Sequence, residues 1–404
     1  MEPSACPVVL DPEGADLHGE ADRLRARGPA TRVLLPGGVP AWSVTSDRWI
    51  RRLAGDRRVS RDSRRHWPAL ADIPDDWPLR FWVGGSSALA AYGEDHRRLR
   101  DLLAPSFTPR RTERLRPRVE AVVGGLIDRL RRDEREVVDL RAEFAVPIPT
   151  EVIFGLFGVP DDLHDAMHRA VNATVRTAAT PAEAAAALKE LAECLAALVE
   201  YKSREPGEDM TSDLIAARRD GRLTDRELTG SLHLMLGAGS ETAVNLLAGS
   251  VHALVTDPGQ AALLRAGRVG WDDVIEETLR HQGPLMHMPL RYAVEDIDLD
   301  EHTRIRRGDA ILLAFGAAGR DPEVHGPTRH DYDAARPNKQ HLAFGYGVHY
   351  CLGAALARME AAIALPALFT AFPRMTPAVP REELRPLPSF IVNGYRALPV
   401  RLRG

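Results

Sequence analysis

A mainly α-helical fold with small β-sheets is what this chain predicts, and three features carry that expectation. Alanine-rich runs of helical period dominate the sequence. The longest of them opens on Thr224 and Glu227, a capping box, and holds an apolar helical pattern to Val255, before Thr256-Asp257-Pro258. That is roughly 30 residues, or about 45 Å at the α-helical rise, enough to cross a domain. Extended pieces, by contrast, are short and scattered, as in Arg32-Val33-Leu34-Leu35 and Ala310-Ile311-Leu312-Leu313. With 404 residues, 44% of them hydrophobic, the chain can bury a large core, and no repeat, linker or low-complexity stretch divides it. One domain over 1–404 is expected.

In chain order, the N-terminal run Met1-Glu2-Pro3-Ser4-Ala5-Cys6 has the character of neither a signal peptide nor an anchor. No segment offers about 20 uncharged apolar residues, so the expectation is a soluble, cytoplasmic protein with no membrane partner. Three widely separated cysteines, Cys6, Cys194 and Cys351, form no disulfide or zinc pattern. Beneath a net charge of −4, the stretch from His96 to Arg118 carries Arg97, Arg98, Arg100, Arg110, Arg111, Arg114, Arg116 and Arg118 against Asp101 and Glu113. Such a stretch most often means a solvated face. Nucleic acid is not expected.

Within the longest helix, Gly237 and Gly239 flank Ala238 ahead of Ser240-Glu241-Thr242. Each glycine costs about 1 kcal/mol against alanine in a helix interior, which suggests a local opening where something flat or small comes close. In Glu277-Thr278-Leu279-Arg280, within a helical run beginning near Trp271, the carboxylate and the guanidinium share a face at i, i+3 and can pair. Further on, Phe344-Gly345-Tyr346-Gly347-Val348-His349-Tyr350-Cys351-Leu352-Gly353 sets one cysteine on a glycine-rich turn opening into a helix-like run, Leu352 to Ala364. Amide N–H groups at a helix start favour an ionised sulfur, whose lone pairs then suit a metal. Gly345 and Gly347 permit positive φ, Phe344 can lie against the sulfur side, and Gly353 keeps side-chain atoms away from it.

The cysteine segment resembles the haem-binding loop of cytochrome P-450 monooxygenases, with Phe344, Gly347, Cys351 and Gly353 at that family's spacing. The likeness runs from about Asp11 to Arg401 and implies the triangular P-450 fold, with haem b (iron protoporphyrin IX) between the long central helix and the cysteine loop. Glu277 and Arg280 match the family's Glu-x-x-Arg signature, and Arg336 is its third member, a buried structural ion network. Glu241 and Thr242 resemble the acid–alcohol pair of the oxygen-activating segment, although Ala243 stands where relatives often carry a second Thr or Ser. His96, Arg100, Arg291 and His349 resemble contacts to the two haem propionates, and Ala238 faces the haem. Gly319 replaces a usual Asn before Arg320-Asp321-Pro322.

The resemblance also implies a reaction, a haem-thiolate monooxygenase using O2 and electrons from a ferredoxin or flavodoxin with its NAD(P)H-dependent reductase. The arginine-rich stretch borders the face where the family receives that acidic partner. By family position the substrate pocket draws on Trp67 to Tyr92, Asp161 to Lys202, Leu234, Ala238, Pro284 to Leu290 and Phe390 to Val392. Trp82, Ser86, Ser87, Leu285, His287, Phe390 and Ile391 are its candidate contacts, mainly apolar with a few polar tips, which suits a hydrophobic small molecule. Stretches around Trp42, Trp67 and Trp77 look like bacterial hydroxylases of steroids and macrolides, whereas Gly84-Gly85-Ser86-Ser87-Ala88-Leu89 departs from their larger residues. Hydroxylation of a steroid-like, macrolide or other secondary metabolite is the leading expectation. Oxidative C–C or C–N coupling of aromatic natural products, such as tryptophan-containing cyclic dipeptides, is the alternative, and a haem-based sensor is a third reading.

Overall fold

The computed structural model describes residues 6–173 and 180–403. The N-terminal reading of Met1 to Ala5, and the part of the expected substrate region at 174–179, lie outside the described residues.

Helices dominate, and the longest is Asp225–Thr256, capped by the expected box: Thr224 Oγ1 accepts from Glu227 N while Glu227 reaches back to Thr224 N. Its 32 residues are helical without a break, so the opening expected at Gly237 and Gly239 is not a distortion of the backbone. Gly237 has no heavy atom within 4 Å of where a Cβ would stand, and it lines the main cavity. Gly239 serves packing instead, because a Cβ there would meet Ile153 Cδ1 at 2.4 Å. Ile153 belongs to the helix Pro147–Phe157, which packs against the central helix.

The helix after the cysteine runs Ala354–Ala371, starting later and ending later than the sequence suggests, and passes through Pro366. Proline removes one backbone donor, but burial of Leu356, Ala361, Ala364, Leu365 and Leu368 in the largest core cluster holds the helix together. By length and composition this helix could cross a membrane, a property the charge-free criterion missed because Arg358 and Glu360 sit within it. It packs between the central helix and Arg116–Arg132.

The largest sheet has six strands, in the order Val8–Val9, Thr31–Leu35, Val39–Val44, Ala310–Leu313, Met288–Ala293 and Val59–Ser60. The two strands expected from sequence both belong to it, separated by Val39–Val44, which pairs antiparallel with the first and parallel with the second. A three-stranded and a two-stranded sheet complete the β-structure among the described residues. The six-stranded sheet brings Val59–Ser60 beside Met288–Ala293 through Ser60↔Tyr292, which sets Arg61 near Arg291. These two arginines stand at the edge of the cavity described next.

Candidate active site

One cavity collects most of the expected residues. Its lining includes Cys351 with Phe344, Gly345 and Gly353 from the cysteine loop, and Ala238, Glu241 and Thr242 from the central helix. His96, Arg100, Arg291 and His349 also line it.

The loop is fixed by its backbone. Gly345 and Gly347 adopt φ of 76° and 75°, and a Cβ on Gly347 would meet Ala54 O at 2.6 Å. Cys351 N donates to Phe344 O at 2.9 Å, closing the turn. Gly353 has a φ of −83°, and a Cβ there would lie 3.9 Å from the sulfur, an ordinary contact. Burial in the cavity raises the Cys351 thiol, with the Gly353 amide, Arg100, Arg358 and the Ala354 amide opposing it. The amides at the helix start thus work against the effect of burial, and a bound cation would favour the ionised sulfur further. Phe344 packs under the Arg358 guanidinium, 4.5 Å from its ring centroid. Arg358 Nε donates to Glu276 Oε1 at 2.5 Å, and His341 Nε2 stands 3.0 Å from Glu276 Oε2, tying the loop to the helix Trp271–His281.

On the opposite wall, Thr242 Oγ1 donates to Ala238 O at 2.8 Å. Its only proton is thus engaged one turn back, while its lone pairs remain able to accept. Glu241 is 4% exposed and pairs with Arg141, from a π-helical turn at Arg141–Ala145. Burial raises its pKa, opposed by Arg141 and by Asn245 one turn along. Glu360 also lines the cavity, fully buried, with Oε1 lacking a partner among the described residues, and burial pushes it up to about 8.

At one edge the cations gather. The His96 and His349 rings lie 4.2 Å apart, Arg100 Nη2 donates to Tyr350 O at 2.7 Å, and Arg291 is 2% exposed. Burial lowers His96 to about 4, and it also drives His349 down, each reinforced by neighbouring arginines. Both histidines are therefore neutral at pH 7 in this surrounding. Away from the cavity, Glu277 and Arg280 form a completely buried bidentate pair, at 2.6 and 2.7 Å. Arg336 Nε approaches Glu277 at 3.6 Å, and Asp333 N donates to the same carboxylate. Arg280 further donates to Gly319, Arg329 and Asp331 carbonyls.

Four residues expected on the substrate side do not line the cavity. Ser86 accepts from Arg64 Nη1 at 3.1 Å and its carbonyl packs against Gly230. His287 is 1% exposed and turns its Nδ1 to Phe390 O at 2.7 Å. Phe390 and Ile391 are fully buried in a separate core cluster, and Val392 reaches the cavity in their place. An isolated bridge pairs Val392 with Leu285, and both of these residues line the cavity. Trp82, Ser87, Leu234, Ala238 and Leu285 do line it, joined by His233, Met235 and Met288.

Residues 271–393 match the family model described as cytochrome P450. Over 99% of its length the chain is 45% identical to 2-hydroxy-5-methyl-1-naphthoate 7-hydroxylase of Streptomyces carzinostaticus, covering 98% of that protein. The fold superposes on CYP154A1 from Streptomyces coelicolor A3(2) with a TM-score of 0.95 at 49% identity, covering 98% of this chain and 100% of that one. It also matches testosterone-bound CYP154C4 from Streptomyces sp. ATCC 11861, with a TM-score of 0.94, 42% identity and 98% of each chain covered. The chain belongs to the cytochrome P450 family.

A P450 is a haem-thiolate monooxygenase, and the residues of this cavity fit that cofactor. Haem is flat and apolar with two carboxylates at one edge, and this P450 offers an apolar slot between Cys351 and the central helix with buried cations at one side. Nε of Arg291 and Nε2 of His96 have no partner among the described residues, as expected of donors awaiting an anion. Cys351 would offer its sulfur to the iron beside the ring nitrogens of the cofactor. Sequence reasoning missed Arg61, Arg141, Glu276 and Glu360, each of which stands among other charges in its segment with no local pattern to single it out.

Proposed function

We propose that this P450 hydroxylates a flat, fused-ring, mainly hydrocarbon natural product. The single observation that carries the reading is that the Cys351 sulfur and the Glu241–Thr242 pair line one cavity whose remaining wall is mostly apolar. Support for a flat ring system comes from relatives, one named for a naphthoate and another solved with testosterone bound.

When bound, haem supplies activation of O2, which side chains cannot perform. Cys351 would ligate the iron, while Phe344, Gly345 and Gly353 shape the slot beneath and Ala238 covers the opposite face. His96, Arg100, Arg291 and His349 would receive the two carboxylates. Thr242, with its proton engaged at Ala238, would hold a water as acceptor, and Glu241 would pass protons toward that water when it leaves Arg141. Glu277, Arg280 and Arg336 hold together the backbone at Gly319 and from Arg329 to Asp333 and do no chemistry. Trp82, Ser87, Leu234 and Leu285 would orient the substrate.

Electrons would come in the cytoplasm from a ferredoxin or flavodoxin and its NAD(P)H-dependent reductase. Tyr346, Val348 and Tyr350 are exposed beside the loop, an apolar centre near exposed arginines of the kind an acidic carrier recognises. The test is a panel of naphthoates, steroids and macrolides, read first by the shift of the Soret band on binding and then by product mass. One added oxygen on a fused-ring compound is expected. Products that lose hydrogens without gaining oxygen would establish coupling instead, and binding without any product would favour a sensor.

A further inference from the structure

Arg61 follows the strand Val59–Ser60, lines the main cavity and is 2% exposed. Its Nη2 donates to Pro289 O at 2.9 Å, while Nε and Nη1 have no partner among the described residues. Arg291, on the neighbouring strand, is equally buried and also carries a partnerless Nε. No ion pair with a described carboxylate is formed by either guanidinium. Burial lowers Arg61 to about 10 and, with help from Arg61, lowers Arg291 to about 9, so both remain cationic at pH 7. Tyr292 stands beside Arg61, but burial pushes its phenol up, which leaves it neutral and unable to compensate the pair. Two adjacent buried cations without a counter-charge cost several kcal/mol, and removal of a partner from such a group is what ordinarily exposes that cost.

An anion must therefore complete this corner. The cavity itself indicates which, because its lining also holds His96, Arg100 and His349, and both histidines feel the field of Arg61 and Arg291. We propose that Arg61 is a further ligand of the haem, sharing one propionate with Arg291 from the sheet side. The assignment rests on the haem reading above. A guanidinium here gives a planar donor fork that a lysine would not, and it joins the cofactor to the sheet as well as to the helices.

The experiment uses holoenzyme without substrate, comparing Arg61→Met and Arg61→Lys with wild type. Haem transfer to excess apomyoglobin should be roughly ten- to a hundredfold faster for Arg61→Met, as expected for loss of one charge-assisted hydrogen bond. The midpoint potential of the iron should fall with the lost positive charge. Arg61→Lys should recover most of the retention and the potential, yet shift the propionate bending band in resonance Raman spectra. Wild-type transfer rate and potential in a folded Arg61→Met would overturn the proposal. Should Arg61→Met fail to fold, Arg61→Lys decides alone: an unmoved propionate band overturns the assignment and a shifted one supports it. Weakened binding of 1-naphthoate with unchanged haem properties would also overturn it, by giving Arg61 to a substrate carboxylate. Absence of a thiolate-ligated haem in the wild type is a separate outcome, one that fails the haem reading itself.

Discussion

Glu360 is a carboxyl whose charge state is set by burial alone, lifted from an ordinary 4.5 to about 8. An acid raised on folding must hold its proton, so its contribution to stability is intact below the unfolded value and is lost as pH rises toward 8, by about 1.4 kcal/mol per unit before relaxation. Glu360→Gln, which cannot ionise, should therefore gain in Tm relative to wild type as pH is raised from 5 to 8, then run parallel. A constant difference across that range would show that Glu360 is already ionised in the folded protein. At Thr242 the engaged proton matters more than the charge. Thr242→Ala should leave binding and first reduction nearly intact but raise released hydrogen peroxide at the expense of product, measured against reductant consumed. Full coupling in that variant would assign the water to Ser240 or to the substrate. At this scale, legibility followed locality: Cys351 and its glycines share ten residues of chain, so their pattern is readable. Arg61, Arg141 and Glu360 acquire meaning only from what folding brings to them.

The central helix separates two glycines that look alike in sequence. Gly237 faces open space, so Gly237→Ala should stabilise by about 1 kcal/mol through helix propensity. Gly239→Ala should instead destabilise by about 1 to 3 kcal/mol, because its Cβ would press on Ile153, and Ile153→Val should relieve part of that loss. Thermal unfolding of the two single variants and the Gly239→Ala/Ile153→Val pair measures both signs. The capping box and the apolar run gave away the helix itself. The partner of Gly239 lies 86 positions upstream on another helix, out of reach of any periodicity. The Glu277–Arg280 pair was likewise readable as i, i+3, but its complete burial and its carbonyl acceptors were not. Glu277→Gln leaves Arg280 charged, buried and half-satisfied, and should cost about 3 to 5 kcal/mol and lower haem content on purification.

For the whole molecule, the predominance of helix was readable from composition and period, while the strand order of the large sheet was not, since pairing between distant segments is decided by tertiary packing. The basic stretch also reads differently once folded. Arg98 is held by Glu227 at 2.5 Å, Arg116 by Glu113, and Arg118 donates to Glu151 O, whereas Arg110 is exposed and Arg111 only loosely faces Asp213 at 3.7 Å. Reversing Arg110 and Arg111 to Glu should slow reduction by an acidic ferredoxin and flatten its salt dependence, since exposed charge steers encounter only within a Debye length of about 10 Å at 0.1 M. Turnover driven by added peroxide should not change. All of this depends on one sulfur, and the reduced carbon monoxide difference spectrum reads that sulfur directly. Wild type should show the strongly red-shifted Soret band of thiolate ligation, and Cys351→His should retain haem but lose the band, because neutral imidazole pushes less charge onto iron. A red-shifted band that survives in Cys351→His, or is missing from the wild type, would contradict the assignment of Cys351 and with it the site.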